Sequence, residues 1–169
     1  MNRSDPLILA IDQGTHSTRA IAFDLQGRAV ARAQQPVGLQ QLSHSAVEQS
    51  PDEILRSMQD VVAAVLDAPD VAGRRIQAAG LATQRSSVLA WEHTSGAALS
   101  PVLSWQDTRT AGSMPHLVPR AEDIMQATGL RLSPHYGAGK LQWLLTRHPA
   151  VASAHAAGTL ALGPLALSL

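Results

Sequence analysis

The chain has 169 residues, a formal net charge of zero, 15% charged residues and no cysteine. So neutral a composition argues against nucleic acid or an anionic membrane as a partner, and the missing thiols exclude a disulfide framework and a thiolate metal site. The length suits one domain with its own core, built largely from Leu, Val, Ile and Ala because aromatics are only 3%. The first six residues are polar, the first apolar run is too short for a secretory leader, and no run reaches the roughly 18 apolar residues of a membrane span. A soluble cytoplasmic protein is the expectation.

Leu7 to Ile11 is short and almost wholly apolar, as a buried strand should be, and Ala20 to Phe23 is a second such run. Between them Asp12-Gln13-Gly14-Thr15-His16-Ser17-Thr18-Arg19 reads as the polar turn of a hairpin. Gly14 lets the backbone come close to an anion, Thr15, Ser17 and Thr18 offer hydroxyl donors, and Arg19 adds a cationic fork. Asp12, at a strand end, can hold Mg²⁺ directly or through water. These are the parts of a phosphate site, and equally those of an ordinary polar turn.

Leu25-Gln26-Gly27-Arg28 reads as a turn with Gly27 at positive φ, and Ala29 to Gln34 as a third antiparallel strand at the edge of an α/β sheet. Pro36 to Val47 has no period and reads as a loop. Ser50-Pro51-Asp52-Glu53 predicts a helix start, with Ser50 as N-cap, Pro51 in the first helical position and Glu53 closing a capping box. Ile54, Leu55, Met58, Val61, Val62, Val65 and Leu66 follow at helical spacing, with Pro69 and Gly73 beyond the end. Ile76 to Ala82 is the next apolar strand. It runs into Thr83-Gln84-Arg85-Ser86-Ser87, and ligands usually bind at the carboxyl ends of such strands.

Val88 to Trp91 and Val102 to Trp105 read as a strand pair joined through Thr94-Ser95-Gly96. Pro119 to Ala127 and Gly139 to Leu145 read as helices, with Ser133-Pro134 in the loop between them. The end, Thr159 to Leu169, is nearly all Leu, Ala and Gly, broken by Pro164, and its last residues look like a helix cut short. There is no internal repeat, and composition does not divide the chain.

Arg85 and Asp107 can donate to and accept from the hydroxyls of a polyol, and Trp105 can wall off its carbon chain. The plainer readings are a solvated loop arginine, an aspartate at a helix start and a core tryptophan. Gly137-Ala138-Gly139-Lys140 is not a P-loop, because Pro134 stands where the first Gly should be and Leu141 follows the lysine. The seven histidines show no metal-binding spacing.

Asp12-Gln13-Gly14-Thr15-x-Ser17-x-Arg19 after an apolar strand resembles the first phosphate motif of the FGGY carbohydrate kinases. Three further stretches resemble that family in the right order. Ala82-Thr83-Gln84-Arg85 is similar to its substrate-binding segment, although Ser86 stands where glycerol kinase-like members have Glu. Trp91-Glu92 with Gly96, Pro101 and Trp105-Gln106-Asp107-x-Arg109-Thr110 is similar to its hairpin and pocket-tryptophan segment. Thr128-Gly129-Leu130, Ser133-Pro134 and Gly139-Lys140 are similar to its next block, with His135 in the place of a pocket tyrosine. His16 replaces a Thr or Ser of the phosphate loop.

The resemblance covers the chain from Leu7 almost to its end. It implies an α/β fold of RNase H-like type, as in actin and hexokinase, with a mixed sheet and flanking helices. It further implies that residues 1–169 are an incomplete N-terminal kinase domain. The catalytic Asp would lie beyond Leu169, as would the C-terminal nucleotide-binding domain. ATP and Mg²⁺ are the implied cofactors and a sugar or polyol the implied partner, with room for a homo-oligomer in the full-length parent. Asp12, Gly14, Thr15, His16, Ser17 and Arg19 would face the nucleotide, with Asp12 toward the metal. Gln84, Arg85, Trp105, Asp107 and His135 would face the substrate, and the departures at Ser86 and His135 argue against simple glycerol specificity. Such a segment is expected to be inactive alone. The other readings are a remnant or interaction module that binds without transfer, and an unstable fragment.

Overall fold

The computed structural model describes residues 5–169. Strands β1 (Leu7–Gln13), β2 (Ser17–Phe23) and β3 (Ala29–Pro36) are followed by two short strands, β4 (Gln40–Gln41) and β5 (Val47–Gln49), and by helix α1 (Pro51–Leu66). Next come β6 (Ile76–Thr83), β7 (Val88–Glu92), β8 (Val102–Leu103) and 3₁₀ turns at Arg109–His116 and Val118–Arg120. Helices α2 (Ala121–Thr128), α3 (Gly137–Arg147) and α4 (Pro149–Ala157), strand β9 (Leu160–Pro164) and a 3₁₀ turn at Leu165–Leu167 complete the chain. Two compact units result, one from residues up to 39 with 50–84, the other from 40–49 with 85–168. A composition uniform along the chain gives no sign of this division, because the second unit borrows one short segment from before α1.

In the first unit the sheet order is β3-β2-β1-β6, with β1 antiparallel to β2 and parallel to β6. Ile8 pairs with Phe23 and Ile11 with Ala20, as the two apolar runs require. The ladder runs further than apolarity suggests. Asp12 pairs with Arg19 and Gln13 with Thr18, so the turn is only Gly14, Thr15 and His16 rather than the whole polar stretch. Backbone pairing, not side-chain character, decides where a strand ends. At the next turn Gly27 has φ 77°, and the Asp24 carboxylate accepts from the N–H groups of Gln26 and Arg28. Those backbone bonds, followed by the Arg28 side chain, hold the Asp24 carboxyl below its usual range against the opposing effect of burial.

Helix α1 starts as its sequence dictates: Ser50 Oγ accepts from the Glu53 N–H at 3.3 Å and Pro51 takes the first turn. The reciprocal arm of the expected capping box is turned elsewhere, for Glu53 Oε1 accepts from the Gly38 N–H at 2.8 Å. Ile54, Ser57, Val61 and Val65 form the buried face, while Leu55 and Leu66, expected on the same stripe, are exposed. Val61 and Val65 pack with Leu7, Leu9, Ala20, Ala22 and Val71. The two small alanines let the helix lie close to β2. Each buried Leu or Val contributes about 1.5–3 kcal/mol relative to exposure. Helix α1 covers mainly β2 and β3, and β6 remains exposed from Gln77 to Ala82.

The second unit is an antiparallel sheet of order β4-β5-β8-β7-β9. Strand β4 and the first residue of β5, Val47, lie in the stretch expected to be a loop. Strand β4 pairs with β5, and the pairing of β5 with β8 is non-local, so nothing in the local pattern announces it. In the apolar end Leu160–Pro164 is a strand on β7, with Glu92 opposite Leu160 and Val88 opposite Pro164, and the last residues, expected as a helix cut short, form a 3₁₀ turn at Leu165–Leu167. Trp105 lies outside β8, which ends at Leu103. In the β7–β8 connection the Glu92 carboxylate accepts from the Thr94 and Ser95 N–H groups, Ser95 chiefly lowering its pKa, and Gly96 takes φ 72°. Val88, Ala90, Leu103, Leu144 and Val151 form the core, uniting the sheet with α3 and α4. Among the described residues no helix is long and apolar enough to cross a membrane.

The alternation along β1 yields a first prediction. Leu9 is 5% exposed and its neighbour Ile8 40%. In urea denaturation of the chain, Leu9→Ala should cost about 2–5 kcal/mol, and Ile8→Ala markedly less; equal losses would refute the register. Ser50→Ala should lose about 0.5–2 kcal/mol with the N-cap. A thermal melt unchanged by that substitution would show that the cap is dispensable.

Candidate functional site

In the first unit the hairpin turn is closed by the Gly14 N–H donating to Ser17 O at 2.9 Å. A Cβ on Gly14 would stand 3.0 Å from that same oxygen, so the close approach requires glycine. Thr15 and Ser17 are half-buried and His16 is exposed, with its carbonyl accepting from the Val37 N–H. Thr18 has no hydroxyl to spare. It is fully buried, its Oγ1 lies 2.7 Å from Ser57 Oγ, and Ser57 gives its proton to Ile54 O, so Thr18 is the donor to Ser57. This corrects its reading as a phosphate donor.

Residue alternation then separates the rest of the turn. Gln13 is buried, whereas Asp12 leaves the strand on the opposite face and meets Arg19 at 3.1 Å, both side chains about half exposed at 52% and 51%. The pair borders a shallow cavity of about 400 Å³ that includes Ala10, Ile21, Gly80 and Ala82. Thr83 pairs with Gln13 across the β1–β6 ladder, and the Gln84 amide donates to Gln13 Oε1 and Gly14 O, each at 3.1 Å. Gln84 therefore joins the turn, but from the Gln13 side. Asp12 and Arg19 on one side and Gln84 on the other thus share one end of the sheet and not one face.

In the second unit Arg85 and His135 are exposed and Trp105 is 42% exposed, so Trp105 is no core residue. The Trp105 N–H donates to Ser87 Oγ at 2.9 Å, and His135 Nδ1 lies 3.2 Å from Trp105 O. Ser86, in the place of the family's Glu, has φ 63°, the one positive value outside glycine among the described residues. Asp107 is corrected: it is fully buried, and its carboxylate accepts from the Val47 N–H at 2.8 Å, the Arg109 N–H at 3.0 Å and the Arg109 guanidinium at 2.7 Å. It has no free face for a polyol.

Two residues that the motifs contain, but to which the sequence assigns no role, are central to the second unit. Arg109 donates to Asp107 and to Glu48 Oε1 at 2.7 Å and stacks 4.6 Å over the Trp143 ring. Burial alone would push its pKa down, but the two carboxylates, Asp107 foremost, hold it above the ordinary range. The Asp-x-Arg spacing was visible, but its burial was not. Lys140 is completely buried, its ammonium donating to the carbonyls of Ser104, His135 and Ser86. That geometry agrees with rejecting a P-loop. Among the described residues no group of three or more His, Asp or Glu side chains gathers around a metal-sized space.

The sequence of residues 7–161 matches the FGGY family of carbohydrate kinases, N-terminal domain. Among curated proteins it is 37% identical over 158 residues to a glycerol kinase of Aromatoleum aromaticum, covering 92% of this chain and 32% of that protein. It is 39% identical over 140 residues to a glycerol kinase of Acinetobacter baylyi, covering 82% and 28%. The chain thus spans about a third of the length of these relatives. Among solved structures, Plasmodium falciparum glycerol kinase with ADP superposes with a TM-score of 0.90 at 24% identity, over 98% of this chain and 33% of that one. Rhodospirillum rubrum xylulose kinase superposes with a TM-score of 0.79 at 24% identity, over 88% and 31%. The fold is thus that of the actin-like sugar kinases, and the chain belongs to the FGGY family of carbohydrate kinases, to its N-terminal domain.

Proposed function

We propose that this chain is the N-terminal segment of an ATP-dependent sugar or polyol kinase, an incomplete domain whose parent transfers the γ-phosphoryl group of ATP to a substrate hydroxyl. The observation that carries the reading is the Gln84 amide bonded to Gln13 and Gly14. It ties the anion-compatible turn to the residue that precedes Arg85. Gly14, Thr15, His16, Ser17 and Arg19 face the phosphates in this reading. Arg85, Trp105 and His135 face the substrate, and Gln84, which precedes Arg85, is buried with its amide given to Gln13 and Gly14 and holds the turn. Asp107 is left out, because its carboxylate is spent inside the fold.

Mg²⁺ fits the donor set in a limited sense. This ion usually keeps several waters and takes one or two carboxylates plus phosphate oxygens, and Asp12 supplies one half-exposed carboxylate. Bound there, the ion would neutralise phosphate charge. The chain's own contribution is to present Asp12 and Arg19 side by side and to hold the turn open to an anion through Gly14. Phosphoryl transfer depends on positioning and charge stabilisation, and the turn supplies one wall of that arrangement. In this proposal the base for the attacking hydroxyl and the adenosine site belong to a part of the parent outside residues 1–169.

The test is an ADP-release assay over a panel of sugars and polyols, on the purified 169-residue chain and on a chain continued in frame past Leu169. The expected outcome is no turnover by the first and robust turnover by the second. Arg19→Ala in the longer chain should lower kcat/KM by about 10–100-fold, the scale of one charge-assisted hydrogen bond. Turnover by the 169-residue chain, abolished by Arg19→Ala, would overturn the proposal and make Asp12 the first candidate base. Asp107→Asn should act differently. It breaks a buried ion pair, so it should lower stability by about 3–5 kcal/mol, rather than change KM in a chain that still folds.

A further inference from the structure

The Lys140 ammonium sits at a point where three separate stretches of chain meet. It donates to Ser104 O at 2.6 Å, to His135 O at 2.8 Å and to Ser86 O at 3.2 Å. Each carbonyl belongs to, or directly adjoins, one of the exposed residues Arg85, Trp105 and His135. We propose that Lys140 is a positioning residue, whose ammonium gathers these three carbonyls and thereby sets the segments that display Arg85, Trp105 and His135. The inference rests on the reading of those three residues as substrate-facing, and adds the device that holds them.

The geometry of α3 is built for this reach. A Cβ on Gly137 would stand 2.9 Å from Val88 Cγ1, and one on Gly139 3.3 Å from Thr110 Oγ1. The two glycines let the start of α3 press against β7 and the 3₁₀ turn, which brings Lys140 inside. So Gly137-Ala138-Gly139-Lys140 has a use of its own, in close packing followed by a buried donor. An ammonium has three protons and no lone pair, so it matches three carbonyls one for one, which a neutral amine cannot do. Burial pushes the Lys140 pKa down to about 8, with Asp107 pulling it up and Arg109 pushing it down. Below that value the group is charged and all three bonds are available. The clamp also accounts for Ser86: a serine at φ 63° is uncommon, and a charge-assisted bond to its own carbonyl holds it there.

The chain has no cysteine, so Lys140→Cys would carry the molecule's single thiol. Alkylation of the unfolded variant with 2-bromoethylamine and refolding restores an ammonium at nearly the native length. Alkylation with 1-bromopropane gives a side chain of the same shape with a methyl group in its place. The readout is hydrogen exchange and ¹⁵N chemical shifts at Ser86, Trp105 and His135, with Leu9 and Ala22 as references in the other unit and Ala90 and Val151 in the local core.

The aminoethyl form should match the native chain. The propyl form should exchange about tenfold faster or more at the three segments, the scale of a lost hydrogen bond to a charged group, while the references hold. Identical spectra for the two forms would overturn the proposal. So would a propyl form in which Ala90 and Val151 lose protection as much as the three segments, since that is what a mere packing residue does. Lys140→Met, made without chemistry, should repeat the propyl result. The readout uses no substrate. If Ala variants of Arg85, Trp105 and His135 leave polyol binding by the parent unchanged, the functional reading fails while the clamp stands.

Discussion

A polar group buried away from water must find every partner inside the protein, and in this chain those partners are the backbone of the loops that carry the exposed polar residues. Asp107, Lys140 and Gln13 are all fully buried. Asp107 holds the Val47 N–H and so fixes the start of β5. Lys140 holds three carbonyls. Gln13 donates to Gly14 O, and accepts from the Gln84 amide, at the phosphate-like turn. An unsatisfied buried group costs about 1–3 kcal/mol and more when charged, so each of these contacts is enforced by the alternative. The buried interior thereby positions surface residues to which it contributes no side chain.

The parts legible in the sequence were those encoded locally. The apolar runs at Leu7 and Ala20, the Gly27 turn and the Ser50-Pro51 helix start each carry their own signal, and each stands where its residues put it. The parts that were not legible depend on residues far apart in the chain. Glu48 and Gln49 sit in a polar stretch and lie in a strand whose partner, β8, is more than fifty residues away. Leu160 to Pro164 is a short apolar run ending in Gly163-Pro164, and it lies as a strand on β7. In the site the same rule applies. Gly14 and the Thr83-Gln84 strand end were readable from residue type, but Thr18 and Asp107 are withdrawn from any ligand by burial, which spacing does not encode.

The first unit also shows a sheet covered unequally. Helix α1 lies over β2 and β3, and its Ser57 finds a partner in Thr18 beneath it. On the other face Ile8 is 40% exposed, and on β6 Leu81 is 42% exposed. Strand β6 pairs with β1 alone. An apolar edge strand with one neighbour is a poor ending for a sheet, because its free backbone groups invite further pairing. The stability of this unit therefore rests on the α1 side, where Leu7, Leu9, Ala20 and Ala22 meet Val61 and Val65.

Two of the aspartate–arginine pairs differ sharply in burial. Asp12 and Arg19 meet at 3.1 Å with both side chains about half exposed, and Asp107 and Arg109 meet at 2.7 Å with the carboxylate fully buried. An exposed pair is worth about 0–1 kcal/mol and is screened by salt. In the proposed function Arg19 would therefore lose little by turning from Asp12 to an anion, which would leave Asp12 open to a cation. The buried pair has no such freedom. Arg109 is held by two carboxylates and the Trp143 ring, and moving it would strand charge in the interior. Exchange of partners is what a phosphate-facing surface needs, and permanence is what a scaffold needs. The burial of each pair, more than its residue types, decides whether it can exchange partners.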